Sequence, residues 1–136
     1  MLKELIESGF GAEYNCAEKI IKGANQVYEL GLDEDATRLF AGFGGGLSVG
    51  SACGALCGAM GVISHMFVED TAHQSRALKP ISKEYLENYN KRMHSIDCKT
   101  LKDAYYTDEK ACYDIILTAA ELLDEIIEKY ADQRVR

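Results

Sequence analysis

Apolar residues in this chain recur at helical intervals almost from end to end. Cys16, Ile20, Ala24, Val27 and Leu30 share one face of a helix. Cys53, Cys57, Met60, Ile63 and Phe67 share a second. Cys112, Ile115, Ile116, Ala119, Leu122, Leu123 and Ile126 form a third stripe. No stretch alternates with the period that a half-buried strand needs. The pattern predicts an all-α fold, a bundle of about four main helices, in one domain over residues 1–136.

Punctuating residues set the expected boundaries. A short helix over residues 2–8 ends at Gly9 and Gly11, and Asn15 is a good cap for a second that runs to Leu30 and stops at Gly31. Asp33 or Asp35 opens a brief helix reaching Ala41, and a Gly-rich loop over residues 42–50 precedes the central helix. Ser51 is the expected cap of that helix, which continues to Glu69. Pro80 and Ser82 open another, over residues 83–95. Residues 97–102 read as a turn carrying Cys98, and Thr107 as the cap of a last helix over residues 108–131.

Charge narrows the partners. Fifteen basic residues face 22 acidic ones, and no basic run tracks phosphates, which argues against nucleic acid. The uncharged stretch 39–64 is long enough to cross a bilayer, but glycines crowd its start and no basic flank marks an inside end. A buried central helix is the expectation, with no stable membrane insertion. So apolar a segment also suits a homodimer. The N-terminus, Met1-Leu2-Lys3-Glu4-Leu5-Ile6-Glu7, lacks the basic start and apolar run of a secretory signal. A cytoplasmic, reducing setting follows, where cysteines are free, metal-bound or catalytic.

The five cysteines then carry the chemistry. Cys16, Cys53 and Cys112 each fall in the first turn of an expected helix, on its inward face. A helix start offers unpaired amide hydrogens and partial positive charge. A thiolate there is stabilised, so these thiols are expected to ionise below the ordinary range. Cys98, just before the last helix, lies within reach of the same pocket. A single inward cysteine is more often a small hydrophobe. Cys57, deeper in its helix, takes that packing reading, with a spare ligand or resolving thiol as the alternative.

Gly50, Gly54 and Gly58 recur every four residues and predict a smooth face that admits a close neighbour. Gly54 and Gly58 are the expected backbone positions beside a cofactor. The segment 42–50 lacks the lysine, the hydroxyl and the preceding strand of a phosphate loop, though its amides suit cluster sulfides or a small anion. His65, His73 and His94 have no metal-site spacing to a cysteine.

The run of Cys16, then Cys53-Gly54-Ala55-Leu56-Cys57-Gly58, then Cys98 and Cys112, resembles the C_GCAxxG_C_C family of bacterial redox-active proteins over nearly the whole chain. The resemblance implies four defining cysteines, Cys16, Cys53, Cys98 and Cys112, as catalytic residues or metal ligands, with Cys57 at a variable position. It also implies a redox partner protein or a transporter, since members are often encoded beside transporter genes. A related domain occurs in haem proteins that carry an iron–sulfur centre, but no CxxCH haem attachment is present here. The expected function is an oxidoreductase or electron carrier. Its thiolates hold an iron–sulfur cluster of the two-iron kind or cycle between dithiol and disulfide. Two alternatives stand beside it. One is structural zinc, whose ligands normally come as close pairs, unlike the spacing here. The other is a non-catalytic accessory protein associated with a transporter.

Overall fold

The computed structural model describes residues 1–136 and is helical throughout, with seven α-helices and no strands. These are α1 (Leu2–Glu7), α2 (Cys16–Val27), α3 (Glu34–Arg38), α4 (Gly54–Phe67), α5 (Leu78–Met93), α6 (Cys98–Tyr105) and α7 (Tyr113–Lys129). The all-α class is as expected, but three short helices accompany the four long ones. No helix is long and apolar enough to cross a membrane.

The core forms where α4 runs between α2 on one side and α5 and α7 on the other. Ile20, Ile63, Met66, Tyr85, Tyr89 and Leu123 are all fully buried in it. A buried hydroxyl needs a partner, and both tyrosines find one on α7. The Tyr85 hydroxyl donates to the Ala119 carbonyl at 2.9 Å and the Tyr89 hydroxyl to the Ile115 carbonyl at 3.1 Å. Gly58 explains how closely α2 and α4 approach: a Cβ there would stand 2.7 Å from the Ala17 carbonyl oxygen. Asp124 of α7 accepts from the backbone amides of Leu2 and Lys3, so α1 is capped from a distant part of the chain.

Several boundaries differ from expectation, each for a local reason. Helix α2 ends at Val27 rather than Leu30, because Glu29 turns left-handed and the Asn25 amide group bonds both the Leu32 N–H and its carbonyl. Helix α5 begins at Leu78, ahead of Pro80, whose missing N–H falls in the first turn where no helical partner exists. The expected turn at Cys98 is instead helix α6. Thr107 caps a tight turn, not a helix. Its hydroxyl accepts from the Lys110 N–H and its carbonyl from the Ala111 N–H, and α7 starts only at Tyr113.

The Gly-rich segment departs furthest from a plain loop. A single-turn helix at Ala41–Phe43 leads into Gly45, Gly46, Leu47 and Ser48, all at positive φ. Left-handed backbone costs a non-glycine residue about 1–2 kcal/mol, so Leu47 and Ser48 hold strain. Ser51 does not cap α4. Residues 51–53 run extended beside residues 96–98 and bridge them at Ala52 and Asp97. Gly50 consequently lies outside α4 and takes no part in its smooth face.

Candidate functional site

Each motif cysteine stands at the start of a helix. Cys16 is the first residue of α2 and Cys98 of α6, while Cys53 and Cys112 are the caps of α4 and α7. All four line one cavity of about 360 Å³. Residues far apart in sequence thus meet at one place.

Local chemistry sets each of them. The Asn15 side chain accepts from the Glu18 amide, and the Glu18 carboxylate accepts from the Asn15 amide, closing a capping box around Cys16. The Asn15 side-chain amide also donates to the Ala41 carbonyl at 2.9 Å, which ties this helix start to the Gly-rich segment. Main-chain bonds place Cys53 and Cys98 diagonally across one antiparallel bridge. The Cys53 N–H donates to the Ile96 carbonyl at 2.9 Å and the Cys98 N–H to the Ser51 carbonyl at 2.6 Å. Ala111, left-handed at φ 50°, turns the chain into α7 at Cys112.

Two glycines leave the room the thiols occupy. A Cβ on Gly54 would stand 2.5 Å from the Cys16 sulfur and 2.7 Å from the Phe43 carbonyl oxygen. A Cβ on Gly46 would stand 2.6 Å from the Cys98 Cβ. Gly54 lines the cavity, whereas Gly58 does not: it backs onto Ala17 and Ile20 of α2. Cys57 is half-buried and also lies outside the lining. The histidines are elsewhere. His65 Nε2 bonds the Leu30 carbonyl, His73 is exposed, and His94 is the left-handed residue ending α5.

The expectation of easily ionised thiols does not hold for Cys53 and Cys112. Burial pushes Cys53 up to about 12. The amides of Leu56 and Ala55 pull it down, as a helix start should, but desolvation outweighs them. Burial likewise raises Cys98 against the pull of Lys102, and raises Cys112 against Lys102 and Lys19. Cys57 is raised by burial too. All five cysteines are free thiols, and no group of three or more His, Cys, Asp or Glu side chains stands gathered in metal-holding geometry. Raised in this way, Cys53, Cys98 and Cys112 hold their protons more tightly than free cysteines do.

Sequence reasoning passed over the lysines of this site. Lys19, Lys102 and Lys110 line the same cavity. The signal was present: Lys19 follows Cys16 by three residues and Lys102 follows Cys98 by four, which puts each pair on one helical face.

A family model described as "Putative redox-active protein (C_GCAxxG_C_C)" matches residues 14–126. No curated protein and no solved structure matches the chain. The chain belongs to the C_GCAxxG_C_C family.

Proposed function

We propose that this member of the C_GCAxxG_C_C family is a redox protein whose Cys16, Cys53, Cys98 and Cys112 hold an iron–sulfur cluster of the two-iron kind. One observation carries the reading: four thiols from four helix starts line one cavity. The donor set fits, since four cysteine sulfurs complete the ligation of such a cluster. When bound, the cluster supplies one-electron storage at a site the protein alone lacks.

The chain's own residues prepare that site. Burial raises Cys53, Cys98 and Cys112, so ligation through these three would release protons into solvent. Leu101, Ile115 and Ile116 give the cavity apolar walls that limit water, and the Ala55 and Leu56 amides provide hydrogen bonds for the Cys53 sulfur. Gly54 and Gly46 keep side-chain bulk away from Cys16 and Cys98.

A second reading is exchange between dithiol and disulfide among the same cysteines. The Cys16 sulfur packed on Gly54, next in sequence to Cys53, favours it. The raised thiols weigh against it, because the thiolate is the attacking form.

Anaerobic purification followed by metal, sulfide and visible-absorption analysis tests the choice. About two iron and two labile sulfide per chain support the cluster. Zinc alone would mean a structural metal site. No metal, with loss of about two protons per disulfide on oxidation, supports thiol exchange. Neither metal nor redox response leaves a non-catalytic accessory protein, the transporter-associated reading.

A further inference from the structure

We propose that the four-cysteine cavity also receives a small oxyanion, held by Lys19, Lys102 and Lys110. The inference takes from the redox reading only that this cavity is the working site. It stands on the charge of the walls, whatever the thiols hold.

The chain carries a net charge of −7, yet no Asp or Glu lines this cavity, while three lysines do. Of the ten lysines, Lys3, Lys22, Lys83, Lys99 and Lys129 each pair with a carboxylate. The lysines without one are Lys19, Lys79, Lys91, Lys102 and Lys110. Three of those five are the lysines of the cavity.

Two nearby carboxylates, Glu18 and Asp103, are occupied elsewhere. Glu18, beside Lys19, is turned back into the capping box on Asn15, and Asp103, beside Lys102, pairs with Lys99 at 3.2 Å. Lys102 is steadied by a ring: its ammonium lies 5.8 Å from the centre of Tyr106. A concave site with apolar walls and unpaired positive charge focuses its field on the interior and concentrates anions there. Three of the unpaired lysines thus share one cavity with the thiols, while Lys79 and Lys91 lie elsewhere. The ligand they suit is therefore a compact dianion of sulfate or phosphate size placed against the cysteines, which is the position of a substrate.

The test uses the full chain, reduced and freed of iron, so that no cluster charge is present. Cysteine alkylation by iodoacetate, an anion, is compared with alkylation by neutral iodoacetamide, and each cysteine is read by peptide mass spectrometry. Both reagents consume the same thiolate, so their rate ratio cancels ionisation and reports local potential. At Cys98 and Cys112 the iodoacetate-to-iodoacetamide ratio should exceed that of the urea-unfolded chain about threefold or more. It should fall toward the unfolded value in Lys102→Met, and further in the triple variant with Lys19→Met and Lys110→Met. Sulfate should slow both reagents relative to chloride at equal ionic strength, in the native chain and not in the triple variant.

A folded-chain ratio equal to the unfolded one overturns the proposal. So does sulfate that acts no differently from chloride. Protection by adenosine monophosphate where sulfate gives none would reassign the site to a phosphate ester and overturn the small-ion assignment. Iron and sulfide content, measured separately, decides the cluster reading, so either idea can fail while the other survives.

Discussion

The two ends of α4 follow different rules. Its far end, Val62, Ile63, Met66 and Phe67, is regular helix packed into a buried apolar core. Its beginning is irregular. Cys53 is held by a main-chain bond to Ile96, the chain before it passes through a left-handed turn, and Gly54 admits the Cys16 sulfur where a methyl group would not fit. One end gains stability by removing apolar surface from water. The other holds left-handed backbone and places its cysteine on a cavity shared with three more. On the proposed function, the contrast teaches that stability and chemistry are housed separately along one helix, and that each should be open to damage without the other.

The largest effect is expected far from the cysteines. Leu123 on α7 is completely buried, and Leu123→Ala should lower stability by about 2–5 kcal/mol in urea unfolding. Iron bound per folded chain should not change. A parallel loss of iron would mean that the two ends are one cooperative unit.

Alkali should act at the cysteine end instead. The native fold holds the Cys53 thiol neutral, with its pKa raised from 9.0 to about 12. Below about pH 9 both folded and unfolded chains carry the neutral thiol, and its contribution is fully present. Between about 9 and about 12 the unfolded chain ionises first, so stability falls as pH rises. One such group supplies at most about 4 kcal/mol. In iron-free, reduced protein, Cys53→Ser should flatten this part of the stability–pH curve. Cys57, Cys98 and Cys112, also raised, leave a residual slope. A curve unaltered by the substitution would show that burial does not govern Cys53.

A single methyl group can probe the same end. Gly54→Ala places a Cβ against the Cys16 sulfur and the Phe43 carbonyl. Something must move, at a cost of about 1–3 kcal/mol. Cofactor content should drop far more than stability does, because the displaced atom is a thiol of the site. Equal content in the two proteins would show that the close approach of Gly54 and Cys16 is incidental.

What was legible in the sequence divides along the same line. The helical stripes, the all-α class and the Asn15 cap are local signals, and helical spacing carries them directly. The Glu18 half of the capping box lies three residues on and is equally local. What escaped is long-range. Nothing in the spacing of Ser51 and Cys98 reveals that their backbones pair, so Ser51 looked like a helix cap and Cys98 like a turn. The left-handed run through Leu47 and Ser48 opposes local preference, so residue type does not announce it. Thr107 has the right chemistry for a cap, but that chemistry closes a turn as readily as it starts a helix. Thiol ionisation departs from expectation for a related reason. A helix start can be read from sequence, whereas the depth of burial that outweighs it cannot.

The smallest expected effect is the sharpest on the division itself. Cys57 lies one turn beyond Cys53 on α4, half-buried and outside the cavity lining. Its thiol is raised by burial and feels Cys16, so proximity alone does not exclude it from the chemistry. Cys57→Ser exchanges one small side chain for another at a half-buried position, and stability should change by less than about 1 kcal/mol. Iron, sulfide and absorption spectrum should match those of the native chain, whereas Cys53→Ser should abolish them. If Cys57→Ser instead lost half or more of its iron, the site would extend a full turn down α4. The boundary between the strained end and the packed end would then lie beyond Cys57, inside what is here counted as helix body.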